Sequence, residues 1–246
     1  MMKKMSYALL GAGLLTSTLV KAEEASFAAA PVAAPCNFSG AYVGLTFGQS
    51  ITKYGNFLQD GQIGGGAPAN YEASSKQNPL ASGFTGGIFA GWGKEFASRL
   101  YAGLELSYLM DTAKVKALDI AAAETVQLKK KDTFEAALRL GMAMNNALPY
   151  IKVGFANSKF ENSFENTVGK LKESKRLNGF VVGAGIDMKV APKMMVGLGY
   201  TYTAFKKWKG KKVSPSAAAM DPTTNHMKHE MKPTSHNIML RVAYTF

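Results

Sequence analysis

The sequence predicts an all-β fold: an eight-stranded antiparallel up-and-down transmembrane β-barrel with short periplasmic turns and long extracellular loops. Three observations carry that expectation. Segments along the chain alternate large apolar residues with small or polar ones, the period of a strand whose two faces meet different surroundings. The connections between these segments alternate between short and long. No stretch beyond residue 22 approaches the roughly 20 continuous apolar residues of a membrane-spanning helix. A mature chain that sits in a membrane must therefore cross it as a closed barrel, which leaves no backbone group unpaired in lipid.

The N-terminus is read separately. Lys3 and Lys4 form a positive start, "YALLGAGLLTSTLV" is a short apolar core, and Val20-Lys21-Ala22 fits a signal-peptidase site. Residues 1–22 are thus expected to be a cleaved signal peptide, and residues 23–36 a flexible periplasmic lead-in. Residues 37–246 are expected to form the barrel. Cys36 is the only cysteine of the 246 residues, which excludes an intramolecular disulfide or a thiolate cluster. Pro35 precedes it and the apolar core lies far upstream, so Cys36 is read as a bystander rather than a lipidation site.

The strands follow in order. "GAYVGLTFG" sets Ala41, Val43, Leu45 and Phe47 against Gly40, Tyr42, Gly44 and Thr46. "GFTGGIFAGWGK" sets Phe84, Ile88, Ala90 and Trp92 against Thr85, Gly87, Phe89 and Gly91. In "RLYAGLELSYLM" the apolar face is Leu100 to Tyr108 by twos, opposite Tyr101, Gly103, Glu105 and Ser107. "TFEAALRLGMA" opposes Phe134, Leu138 and Leu140 to Glu135, Ala137, Arg139 and Gly141. "YIKVGFANS", "GFVVGAGIDMKV" and "KMMVGLGYTYTA" repeat the pattern, with Lys152, Asp187, Lys189 and several glycines on the less apolar side. The last run, "HNIMLRVAYTF", opposes Ile238, Leu240, Val242, Tyr244 and Phe246 to Asn237, Met239, Arg241, Ala243 and Thr245. Short turns are expected around "EFASR", "NNALP" and "APK", and long loops over about 52–81, 112–130, 161–176 and 206–234. Strands of roughly 9–11 residues suit a tilted bilayer crossing. A soluble sandwich has no reason to sort its loops this way.

The quoted segments "FSGAYVGLTFG", "GGIFAGWG", "LYAGLELSY", "ALRLGMA", "GFVVGAGIDM" and "HNIMLRVAYTF" resemble the strand motifs of small outer-membrane β-barrel surface proteins. These are the opacity-type, OmpA-like barrels counted among porin-family surface antigens, and the likeness lies in the strands, not the loops. The family's Arg-Leu-Gly appears as Arg139-Leu140-Gly141, while Gly199 stands where the seventh strand often carries an acid. The resemblance implies a location in the cell outer membrane of a Gram-negative bacterium. It also implies that the C-terminal strand, ending at Phe246, presents its aromatic residue to the barrel-assembly machinery.

An eight-stranded barrel is just wide enough to be filled by its own side chains. The expected lumen charges are Glu105, Glu135, Arg139, Lys152, Asp187, Lys189 and Arg241. They should pair, because an unpaired charge there is strongly unfavourable. Arg139 is expected to meet Glu105 or Glu135, and Asp187 to meet Lys189, Lys152 or Arg241. A polar plug is the favoured reading; a small channel is the alternative.

An enzyme is not expected, and a lipid-modifying one is the alternative from another class. The histidines are His226, His229 and His236. Only His236 stands beside a serine, Ser235, and a triad needs more than that. His226 and His229 are weak metal candidates: at helical spacing they would share a face, but no third fixed ligand accompanies them. No metal and no cofactor is predicted.

The formal charge is +12, and loss of Lys3, Lys4 and Lys21 with the signal peptide lowers it to +9. In an exported protein this points to phosphates or acidic sugars rather than nucleic acid. Lys206, Lys207, Lys209, Lys211 and Lys212 surround Trp208, Lys129–Lys131 arrive at strand four, and Lys170, Lys172, Lys175 and Arg176 fill the third loop. The segment around Trp208 is read as a polyanion-binding loop, with Trp208 at the membrane interface. The expected partners are outer-membrane lipid and lipopolysaccharide, with adhesion to host acidic glycans as the sharper reading. A monomer is expected.

Overall fold

The computed structural model describes residues 37–61, 80–119, 124–165, 170–212 and 227–246. The expected signal peptide, the lead-in with Cys36, and His226 lie outside the described residues. The strands are β1 (Gly40–Gly61), β2 (Leu80–Glu95), β3 (Leu100–Asp111), β4 (Lys114–Asp119), β5 (Glu124–Met142), β6 (Ala147–Glu165), β7 (Lys170–Ala191), β8 (Met194–Phe205), β9 (Trp208–Lys212) and β10 (Met227–Thr245). All pairings are antiparallel, in the order β1-β10-β8-β7-β6-β5-β3-β2, and β2 pairs back onto β1. That last pairing closes the cylinder. β4 and β9 are short continuations of the wall beyond β3 and β8, pairing with β5 and β10.

Closure runs from Tyr42 opposite Thr245 to Gly61 opposite Met227. Phe246 N–H adds a bond to the carbonyl of Ala41 at 3.0 Å. The short turns fall where the sequence places them, and Arg99 and Asn145 hold two of the three with left-handed backbone, φ 60° and 50°. The expected long loops are shorter than predicted. β1 runs 22 residues to Gly61, β6 reaches Glu165 and β7 begins at Lys170, so much of each loop is strand. The hydrogen-bonded ladder needs no lipid to persist, and where the outer face meets water instead of acyl chains the apolar outer positions that mark a membrane strand are lost.

Every alternating face points as the pattern requires. Leu45, Phe84, Leu104, Leu138, Phe155, Phe180, Leu198 and Leu240 are exposed on the outside, a band suited to acyl chains. Trp92, Phe96, Tyr244 and Phe246 are exposed at the short-turn end, with Tyr244 and Phe246 in edge contact at 5.2 Å. Inside, two apolar clusters bracket the polar lumen. Phe38, Tyr42, Phe89, Tyr101, Leu148 and Met195 pack at the short-turn end. Tyr54, Leu128, Phe160, Leu177, Phe205, Trp208 and Met231 pack at the long-loop end.

Two glycines show how the bulk fits. A Cβ on Gly91 would stand 2.4 Å from the Tyr42 ring carbon Cζ, and one on Gly185 would stand 2.5 Å from the Tyr150 hydroxyl. Each tyrosine lies over its glycine partner on the neighbouring strand, Tyr42 opposite Gly91 and Tyr150 opposite Gly185.

Candidate functional site: the lumen and the long-loop end

Between the two apolar clusters the inward side chains form a charged network. Arg139 Nη1 donates to Glu105 Oε2 at 3.0 Å and to the Tyr42 hydroxyl at 3.0 Å. Arg139 Nη2 pairs with Asp187. Arg241 donates to both oxygens of Glu105, at 3.0 and 2.5 Å. Its Nε lies 3.4 Å from Asp187 Oδ1, a charge contact outside hydrogen-bond geometry. Two guanidinium groups and two carboxylates thus form a closed cycle. Aromatic faces seal it: Arg139 Cζ sits 3.7 Å from the Tyr150 ring centre and Arg241 Cζ 4.1 Å from that of Phe89.

The partners differ in part from those expected. Glu135 meets Lys152 at 2.5 Å, not Arg139. Asp187 meets Arg241, one of its expected partners, and also Arg139, not Lys152. Lys189 leaves the network and donates to the carbonyl of Asn37 at 2.5 Å, near the Phe38 ring. Lys189 is two residues beyond Asp187 along β7, nearer the short-turn rim, where a long side chain reaches solvent more readily than a carboxylate inside.

Sequence reasoning missed a second buried pair. Lys130 Nζ stands 3.2 Å from Asp111 Oδ2, with both side chains at most 2% exposed. Lys130 also donates to Ser235 Oγ at 3.1 Å, and Ser235 continues to Thr52 at 3.2 Å. Asp111 Oδ1 accepts the Ala113 N–H at 2.9 Å. Lys130 was expected among the surface lysines of the β5 end. It turns inward because the β5–β6 register shifts between Lys130 and Thr133, and such a bulge reverses the parity of the strand.

Trp208 requires the same correction. It is 0% exposed and lies in the long-loop apolar cluster with Met231, its partner on β10, rather than at the membrane interface. Ala204 pairs with Thr234 and Trp208 with Met231, so the β8–β9 side carries one extra residue at this point. Inward residues are odd-numbered through Phe205 and even at Trp208. The segment Trp208–Lys212 is strand β9, not a loop.

Two further basic residues of the long-loop end meet acids. Lys131 meets Glu161 at 2.7 Å, and Arg176 meets Asp132 at 2.6 Å. The hydrogen bond from Lys131 holds the Glu161 carboxyl below its ordinary range. Lys53, Lys206, Lys207, Lys172, Lys175 and Lys232 are exposed. Lys53 and Lys232 stand one and two outward positions beyond the band residues Ile51 and His236, and Lys206 follows Tyr202 and Ala204 along the wall.

Ser235 and His236 occupy opposite faces of β10. Ser235 is buried in the lumen, whereas His236 lies on the outer wall, its Nδ1 2.7 Å from the Tyr200 hydroxyl and its ring 5.0 Å from Tyr202. Adjacent residues on a strand cannot converge, so the triad weighed for His236 does not assemble with Ser235. His229 lies within β10, opposite Gly210 of β9 and Gln59 of β1. From Met227 on, the segment is strand, so His229 stands on a strand rather than a helix, and the expectation for His226 lies outside the described residues. Among the described residues no cluster of three or more His, Cys, Asp or Glu could hold a metal.

A closed antiparallel barrel with an apolar exterior, a charge-filled interior and sorted connections defines a class, the small outer-membrane barrels. The chain belongs to the outer membrane protein beta-barrel domain family, whose model matches residues 25–246. Its location is therefore the outer membrane. It is 28% identical over 178 residues to the 25 kDa outer-membrane immunogenic protein of Brucella ovis, covering 71% of this chain and 73% of that protein. The Brucella abortus protein of the same description is also 28% identical, with 71% and 68% covered. Among solved structures, the outer membrane protein OprG of Pseudomonas aeruginosa aligns with a TM-score of 0.52 at 15% identity, over 86% of this chain and 98% of that one. That likeness is one of fold.

Proposed function

We propose that this barrel is a non-catalytic surface protein that supports outer-membrane integrity by binding lipopolysaccharide through its basic long-loop end. The observation that carries the reading is the row of exposed Lys53, Lys206 and Lys232 just above the lipid-facing band. That is the level at which an anionic leaflet presents its phosphates, and each ammonium adds a point charge there. The neighbouring Tyr200, Tyr202 and His236 supply the amphipathic rings suited to the same interface. Binding of host acidic glycans is the second reading, favoured by the exposure of Lys172 and Lys175 further out.

The same account includes cleavage of residues 1–22 before assembly, and a lumen that stays shut. Apolar clusters at both ends and the paired charges between them support a plug over a conducting path.

The test replaces Lys53, Lys206 and Lys232 together by Gln. The strands and their outward apolar residues are untouched, so the variant should fold. Loss of co-purifying lipopolysaccharide and greater detergent sensitivity of the cells are expected, with wild-type binding weakening as salt rises beyond the roughly 8 Å screening regime. Unchanged lipopolysaccharide content and detergent resistance would refute the reading, and loss of host-cell attachment on replacing Lys172 and Lys175 by Gln instead would favour the glycan reading.

A further inference from the structure

The outer wall at the short-turn end is charged on one side only. Around the closure, Lys193 leads into β8, β10 carries Tyr244 and Phe246, and β2 carries Trp92 and Lys94, all exposed. These residues are neighbours through β1. Thr245 N–H donates to the Lys193 carbonyl at 2.9 Å, Tyr244 is paired with Val43, and Ala41 with Trp92. Arg99, in the turn after β2, is exposed too. Across the barrel, where β5, β6 and β7 reach the same end, the exposed residues are Met142, Met144, Asn145, Asn146, Met188 and Val190. None of these carries a charge.

The two lysines lie on the rings of the lipid-facing girdle. Lys94 Nζ stands 6.0 Å from the Phe96 ring centre, and Lys193 Nζ 5.8 Å from that of Tyr244. Among the described residues neither has an acidic partner. Glu95, the one acidic side chain of this rim outside the lumen, accepts the Phe38 N–H at 3.1 Å. An ammonium group held on an aromatic ring at a membrane interface, with no carboxylate beside it, keeps its attraction for a lipid phosphate.

Between these cations the wall is low. The small side chains of Ala41 and Ala90 are exposed, flanked by the rings of Tyr244 and Phe246 on one side and Trp92 on the other. The depression runs along the strands, the direction an acyl chain takes, and ends between Lys193 and Lys94. Those two stand at β8 and β2, three strand spacings or roughly 14 Å apart, room for a phosphoglycerol head between them. An acidic periplasmic protein would approach the turns from below, whereas these ammonium groups lie on rings that face lipid. We propose that the β8–β10–β1–β2 sector is a binding site for an anionic glycerophospholipid of the inner leaflet. Its acyl chain lies over Ala41 and Ala90, and its phosphate between Lys193 and Lys94. The inference is independent of the lipopolysaccharide reading, which concerns the opposite end and the opposite leaflet.

The experiment uses the full barrel refolded into phosphatidylethanolamine vesicles, with Trp208→Phe leaving Trp92 as the one tryptophan. Brominated phosphatidylglycerol is compared with brominated phosphatidylethanolamine as a minor component, and quenching of Trp92 gives their relative binding. A preference of about tenfold or more for phosphatidylglycerol is expected from two lysine–phosphate contacts. It should fall to near unity in Lys94→Gln with Lys193→Gln, and survive Lys94→Arg with Lys193→Arg. The Lys53, Lys206 and Lys232 variant should keep it, so failure of either reading leaves the other standing. Heat-induced gel mobility confirms that each variant is folded. A control tryptophan on the uncharged side, Met188→Trp with Trp92→Phe and Trp208→Phe, should show no preference. Mass analysis of lipid retained by the purified wild-type barrel should show phosphatidylglycerol enriched over the membrane, which tests the site without any substitution. Equal quenching by the two lipids at Trp92, or a preference unchanged by the Gln substitutions, would overturn the proposal. The same preference in the Met188→Trp variant would also overturn it, in favour of a general attraction between a basic barrel and anionic lipid.

Discussion

Lys130 and Asp111 form an ion pair at 3.2 Å inside the barrel, and neither was expected there. A buried pair broken on one side leaves a stranded charge, which is far worse than losing both partners. Lys130→Met should therefore lower stability by about 3 kcal/mol, and adding Asp111→Asn should restore part of the loss. Urea unfolding of the refolded barrel, followed by gel mobility, measures both. Additive losses would mean the two side chains do not interact.

The reason this pair escaped sequence reasoning is physical. Strand faces were legible wherever alternation is strict, as in the outward Val43, Leu45 and Phe47 of β1 and the outward Ile238, Leu240 and Val242 of β10. Parity fails at bulges, and both misplacements lie beside one. Lys130 adjoins the β5 register shift, and Trp208 follows the extra residue between β8 and β9. Nothing in "LKKKDTF" or "AFKKWKG" marks which lysine is the inserted one. The charges of the lumen were legible as a set, and so were the Arg139–Glu105 pair on the neighbouring strands β3 and β5 and the contact of Asp187 with Arg241. The pairs Arg139–Asp187 and Arg241–Glu105 were not, because those residues meet across the barrel rather than along neighbouring strands.

The arginine cycle gives a second expectation. Arg139 should couple to Glu105 and to Asp187 in double-mutant cycles, with interaction energies of about 0.5–3 kcal/mol. Its coupling to Glu135 should be near zero, because that carboxylate is held by Lys152. Stability of the single and double variants to urea decides the matter.

Two glycines should respond differently to alanine. At Gly91 a Cβ would stand 2.4 Å from the Tyr42 ring and 2.6 Å from the backbone oxygen of Leu104. At Gly86 the nearest atom is 3.5 Å away. Gly91→Ala should lower stability by about 1–3 kcal/mol, as overpacking does, while Gly86→Ala should be neutral. Refolding yield and urea midpoints read the difference.

The two tryptophans give a spectroscopic check. Trp92 is 58% exposed on the outer wall and Trp208 is 0% exposed inside. Brominated acyl chains should quench a variant retaining only Trp92, made by Trp208→Phe, and should spare one retaining only Trp208, made by Trp92→Phe. Strong quenching of Trp208 by brominated lipid would return it to the interface.

Closure of β1 onto β10 is the claim on which all the rest depends. Leu45 and Val242 are register partners across that junction, and antiparallel partners have Cα atoms about 4.5–5.5 Å apart, within reach of a disulfide. The measurement is cross-linking of Leu45→Cys with Val242→Cys, in a Cys36→Ser background, in outer membranes from intact cells. The account predicts a disulfide in the membrane fraction, and a heat-induced change in gel mobility that is complete only after reduction. A protein recovered in the soluble periplasmic fraction, without the cross-link and without a heat-induced shift, would contradict the barrel itself.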